Sequence, residues 1–260
     1  MDLFVSAGMD LPPAGGKTGR ARHSGPRSLR TPLFAFKVIE EARRKAAFTP
    51  SREQIEAAAE YARKAKKDFG KLTEEAIRPI FFSTILEKLL GYRTADPDAV
   101  YTLAFERPIR HGKVDVALGR FQDEERVNEI VAPFEFKGPK TIDLEAPMPG
   151  RGRSPVQQAW DYAVDTPGAR WVLVSNCLEI RLYGFGRGRD AYEVFDLTKL
   201  DDPEEHARLW LMLSEGQFLG GAVDALLQET DSAYRDVTEE LYKQYSALRA
   251  RLIDFLVNTS

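Results

Sequence analysis

The sequence predicts an α/β fold, a mixed β-sheet flanked by helices, with a C-terminal helical extension. Three observations carry this. Two short apolar runs, Val114–Leu118 and Ile130–Phe134, are rich in β-branched or aromatic residues and are separated by the polar segment Gln122–Arg126, so they read as the arms of a buried hairpin. Helix-start residues stand both before and after that hairpin. Beyond about residue 200 the apolar residues recur at three- and four-residue steps, the period of a helix.

Taken in order, residues 1–48 form a first region that differs from the rest. Pro12-Pro13-Ala14-Gly15-Gly16 is followed by Lys17, Arg20, Arg22, Arg27 and Arg30 without an intervening acid, which reads as a flexible basic arm followed by a short helix. Residues 49–200 form the second region. Ser51 with Gln54 makes a capping box for a helix, Thr73 can cap the next, and Gly91 can stop it. Pro79 falls inside that helical stretch and predicts a kink or a later start. Tyr101–Phe105 reads as a first strand, the hairpin follows, and Ser154-Pro155 opens a further helix. Trp171–Ser175, Leu178–Tyr183 and Val194–Leu197 complete the strands. Residues 201–260 are the third region, helical in pattern, in which Val237, Leu241, Tyr245, Leu248, Leu252 and Phe255 make an apolar stripe that suits either a helix packed on its own domain or a helical connector to a further one.

The hairpin holds the chemistry. A turn centred near Glu125 sets residue i opposite 250 − i, so Asp115 faces Glu135 across the strand pair. Opposed like charges destabilise a sheet and call for something positive between them. Glu135 and Lys137 are two apart and share a face, while Phe136 points to the other. Two carboxylates and a backbone carbonyl are hard oxygen ligands of the kind Mg²⁺ accepts, alongside water and a substrate phosphate. A lysine beside them suits phosphodiester hydrolysis, where charge develops at phosphorus.

Asp115 with Glu135-Phe136-Lys137, the chain's only E-x-K, resembles the D…E-x-K signature of the PD-(D/E)xK nucleases, the restriction-endonuclease-like fold. Gln158 and Tyr162, four apart on the helix after that strand, resemble the Q-xxx-Y motif of the RecB-like and restriction-subunit branches. Glu75, upstream of Leu89-Leu90-Gly91-Tyr92, is similar in position to their first-helix acid. The resemblance implies a Mg²⁺-dependent deoxyribonuclease, with Mn²⁺ able to substitute. Asp115, Glu135 and the Phe136 carbonyl would hold the metal, and Lys137 would position or activate water. Gln158 and Tyr162 would support the lysine and the phosphate, with Glu75 as an auxiliary acid. It further implies DNA as partner, and a role in restriction-modification or phage defence as in Type IIG enzymes, where a helical connector joins the nuclease to an adenine-specific methyltransferase. A methyltransferase and a target-recognition domain or subunit are therefore expected as partners outside these 260 residues. Two other readings stay open: a gated or inactive nuclease-fold module that binds DNA or assembles, and a DNA repair nuclease.

Composition limits the alternatives. A formal net charge of −3 argues against uniform coating of nucleic acid. Duplex contact is expected from local groups, above all Lys140, Arg151 and Arg153 in the loop leaving the E-x-K strand. The single Cys177 excludes an internal disulfide and a cysteine-based zinc site, and His23, His111 and His206 are scattered. No stretch approaches the roughly 18 apolar residues of a membrane span. The expected location is the cytoplasm.

Overall fold

The computed structural model describes residues 30–95, 99–122, 127–150 and 152–258. Its centre is a six-stranded sheet in the order β1-β2-β3-β4-β5-β6. The strands are β1 (Tyr101–Ile109), β2 (Gly112–Gln122), β3 (Val127–Phe136), β4 (Trp171–Ser175), β5 (Glu179–Gly184) and β6 (Tyr192–Asp196). All neighbours are antiparallel except β3 and β4, which are parallel. A parallel pair needs a crossover connection, and helix α4 (Pro155–Val164) supplies it on one face of the sheet.

The opposite face carries the remaining helices: α1 (Phe36–Lys45), α2 (Arg52–Lys67), α3 (Glu74–Phe81), α5 (Pro203–Leu213), α6 (Glu215–Leu219) and the start of α7 (Ala222–Asn258). Val116, Leu118, Phe134, Phe136 and Leu173 of the sheet join Ile77, Phe81, Met212, Phe218 and Val223 in one core. Val172, Val174 and Tyr183 pack on the α4 side against Val156, Ala159 and Trp160.

The helix starts follow the expected capping chemistry. Ser51 and Gln54 exchange both capping-box hydrogen bonds, and the Thr73 hydroxyl accepts from the Ala76 N–H. Ser154 forms a second capping box, with Gln157. Pro79 neither ends α3 nor delays it. It lies within the helix, which passes directly into a π-helical segment, Phe82–Leu89, before Gly91 turns the chain at φ 81°. Proline has no N–H to give to the carbonyl four residues back, and wider π turns are a known response to a disturbed hydrogen-bond ladder.

The third region does not separate from the second at residue 200. Leu209, Met212, Phe218, Leu219, Val223 and Leu226 lie in the same core as the sheet, because α5 and α6 each present an apolar side to it. Only the later part of α7 leaves the body. There Val237, Leu241, Tyr245, Leu248 and Leu252 are all more than half exposed. Among the described residues no helix is long and apolar enough to cross a membrane.

Candidate active site

The β2–β3 ladder sets the site. Its recorded pairs Val116↔Phe134, Ala117↔Pro133 and Leu118↔Ala132 all follow the 250 − i register, which carries Asp115 and Glu135 to adjacent places at the next step. A bulge between Leu118 and Gly119 shifts the remainder by one, to Gly119↔Ile130 and Gln122↔Val127. Gly119 is required there, since a Cβ would collide with the carbonyl of Glu129. The tip of the hairpin, residues 123–126, lies outside the described residues.

Alternation along β3 decides which way the charges face. Phe136 packs into the helical core, its ring 4.8 Å from that of Phe81 and 5.3 Å from that of Phe82. Glu135 and Lys137 are therefore turned to the α4 face, where the strand partner of Glu135 is Val174 of the α4-side core. Glu135 is fully buried, Lys137 is 5% exposed, and Asp115 is half-buried.

Lys137 Nζ contacts Glu135 Oε1 as an ion pair. Apart from that contact, neither Glu135 oxygen has a hydrogen-bonding partner of acceptable geometry. Burial pushes the Glu135 carboxyl up to about 7. The Lys137 ammonium pulls it down, and the Asp115 carboxylate beside it adds to the rise. Lys137 brings one positive charge against the two carboxylates of Asp115 and Glu135, and buried carboxylate oxygens left short of partners are costly unless a further cation satisfies them. The donor set therefore fits a small divalent ion held by Asp115, Glu135 and the Phe136 carbonyl. Among the described residues no group of three or more His, Cys, Asp or Glu side chains converges, so most of the ligands of such an ion would be water and substrate, as Mg²⁺ favours.

Around this centre the structure places the other expected residues unequally. Gln158 and Tyr162 lie on α4, the helix over this face, and Gln158 Nε2 donates to Tyr162 Oη at 2.7 Å. Tyr162 also packs on the cluster of Tyr101, Ala117, Phe121 and Ile130. Glu75 is exposed at the first turn of α3, and its carboxyl is lowered by its own backbone N–H and the Thr73 hydroxyl. It is Glu74 that reaches the site strand: its Oε2 accepts from the Gly138 N–H at 2.9 Å. Glu74 and Glu75 are neighbours on α3, separated by a rotation of about 100° about the helix axis, so that only Glu74 bonds to this peptide.

The flanking cations are less engaged. Lys140 is exposed, Arg153 is tied to Asp161 at 2.7 Å, and Arg151 lies outside the described residues. His111 does not approach the carboxylates. Its Nδ1 is 2.9 Å from Asp165 Oδ1, and with the Arg110 N–H to Asp165 carbonyl bond it docks the β1–β2 turn on the end of α4. Asn176, which no motif in the sequence marks, braces the loop. Its Nδ2 donates to the Thr141 carbonyl at 3.0 Å while its Oδ1 accepts from the N–H groups of Leu178 and Glu179. The only sequence signal for it is an Asn between two strand runs, an ordinary turn signature.

Comparison with protein-family models, with curated proteins and with solved structures gives no match.

Proposed function

We propose that this chain is a divalent-cation-dependent endonuclease domain of the restriction-endonuclease-like class, hydrolysing phosphodiester bonds of DNA. The observation that carries it is the set Asp115, Glu135 and Lys137 on one face of adjacent strands, two carboxylates of which one is buried against a single lysine ammonium. The element order supports the same reading: a helix, an antiparallel meander β1-β2-β3, a crossover helix and a parallel β4.

Asp115, Glu135 and the Phe136 carbonyl would hold Mg²⁺ or Mn²⁺, which when bound supplies Lewis acidity toward a phosphate oxygen and a water of lowered pKa. Lys137 holds an ammonium beside Glu135, where it can orient the attacking water and offset charge on the phosphate. Water attacks phosphorus, the bond to the 3′ oxygen breaks, and the ends are a 5′-phosphate and a 3′-hydroxyl. Gln158 and Tyr162 form a polar pair on the overlying helix that can meet the DNA backbone. The domain serves restriction-modification or phage defence in the cytoplasm, with target recognition and methylation supplied by other domains or subunits.

One observation favours a gated form of this enzyme. Lys137 is engaged by Glu135 and Gln158 by Tyr162, so both must be released toward substrate before chemistry. The test is calorimetric titration of Mn²⁺ into wild type and Asp115→Ala, followed by incubation of each with supercoiled plasmid. Binding and nicking in the wild type only is the expected result. Binding without nicking would assign the gated form, and no binding would remove the proposal.

A further inference from the structure

The outer half of α7 carries a feature unrelated to the hairpin site. Val237, Leu241, Leu248 and Leu252, with Tyr245 between them, lie along one side of the helix and are 54–65% exposed. Their positions are symmetric on reversal: Val237 exchanges with Leu252 and Leu241 with Leu248, while Tyr245 falls beside the centre. Charge is complementary on the same reversal, which also exchanges Arg235 with Asp254 and Glu240 with Arg249. Asp236, Glu239 and Glu240 precede the centre; Lys243, Arg249 and Arg251 lie around and beyond it.

We propose that α7 is a homodimerisation element that pairs antiparallel with α7 of a second copy about a two-fold axis near Tyr245. A two-fold interface must be self-complementary, and the reversal symmetry of the stripe gives this: Val237 and Leu241 of one copy meet Leu252 and Leu248 of the other, while Tyr245 stands level with Gln244 beside the axis. The antiparallel direction also brings Glu239 and Glu240 of one copy level with Arg249 and Arg251 of the other. A parallel pairing would run acids beside acids and bases beside bases, which is unfavourable. The seam from Tyr234 to Phe255 spans about 33 Å of helix. Its half-exposed large side chains and their flanks present on the order of the ~800 Å² per partner that a stable interface buries. The inference stands apart from the nuclease reading.

The test is mass measurement by light scattering on the whole chain across a dilution series, combined with two substitutions. The wild type is expected at twice its 29.3 kDa monomer mass. Leu241→Asp with Leu248→Asp is expected to weaken the dimer at least ~30-fold, with helicity by circular dichroism and the thermal unfolding of the body unchanged. Direction is read by oxidising a mixture of Val237→Cys and Leu252→Cys chains, since the native Cys177 is buried. Cross-linking between the two variants is expected. A chain monomeric at every concentration would overturn the proposal, as would a dimer that survives the double aspartate variant or one in which Val237→Cys links chiefly to itself.

Discussion

The α4 face of the β2–β3 hairpin and the outer half of α7 depart from ordinary packing in opposite directions. One encloses Glu135 and Lys137 in the protein interior, and the other holds Leu241 and Leu248 out in solvent. The difference teaches how to separate the needs of the fold from those of its partners. Sheet and helix stability alone would place an apolar pair where Glu135 and Lys137 stand, because a buried ion pair seldom repays its desolvation. The same argument would place polar residues where the stripe of α7 stands. On the two proposals made above, each region answers to something that would bind it, a cation in one case and an apolar surface in the other.

The largest effect that would break this comparison is at the hairpin. Lys137→Ala and Asp115→Ala are each expected to lower the plasmid-cutting rate by about 10²–10³-fold, with circular dichroism unchanged. Retention of the wild-type rate would leave the charges as a structural pair. Next, Phe136→Ala is expected to cost about 3–5 kcal/mol in denaturant unfolding, the usual penalty for emptying an aromatic core site. Leu241→Ala, measured at concentrations where the chain is monomeric, should stay within about 0.5 kcal/mol. Equal losses would erase the contrast between the two regions.

A smaller, signed effect comes from pH. The folded Glu135 carboxyl titrates near 7, above its ordinary 4.5, so the folded chain binds this proton more tightly than the unfolded one. Its contribution to stability is therefore full below about 4.5 and is lost as pH rises through 7. The whole change is at most about 3 kcal/mol. The difference in unfolding free energy between pH 5 and pH 8 should shrink in Glu135→Gln, and Mg²⁺ should restore stability to the wild type at the higher pH. An unchanged pH difference in the variant would show that Glu135 is not the group involved. Smallest is the comparison of neighbours in α3: Glu74→Ala should cost about 1.5–3 kcal/mol through the lost hydrogen bond of a charged acceptor, while Glu75→Ala should leave cutting unaltered. A loss of cutting in Glu75→Ala would assign it the auxiliary role.

Much of this site was legible before any coordinates. The period of two along β3 fixes that Glu135 and Lys137 share a face, and the 250 − i register follows from the hairpin's apolar limits. Ser51, Thr73 and Ser154 announced their helices by local chemistry alone. What sequence could not show is tertiary. Whether Glu74 or Glu75 meets Gly138 depends on the rotation of α3 against β3, and a one-residue error there turns the carboxylate away. The bulge at Gly119 depends on the carbonyl of Glu129 across the ladder. The apolar stripe of α7 was visible as a stripe, but its exposure depends on where the helix leaves the core, after Leu226 and Thr230.

Gly138 shows how finely Lys137 is positioned. The peptide after Lys137 sits against the first turn of α3 so closely that a Cβ at Gly138 would stand 3.0 Å from both Cα and Cβ of Glu74. A methyl group there would force strand and helix apart by a few tenths of an ångström, and the lysine next in the chain would move with them. Displacements approaching an ångström can cost about 10²-fold in rate. The tolerance of the site is thus set by a residue with no charge and no reactive group, and the instrument that sets it is a single hydrogen atom.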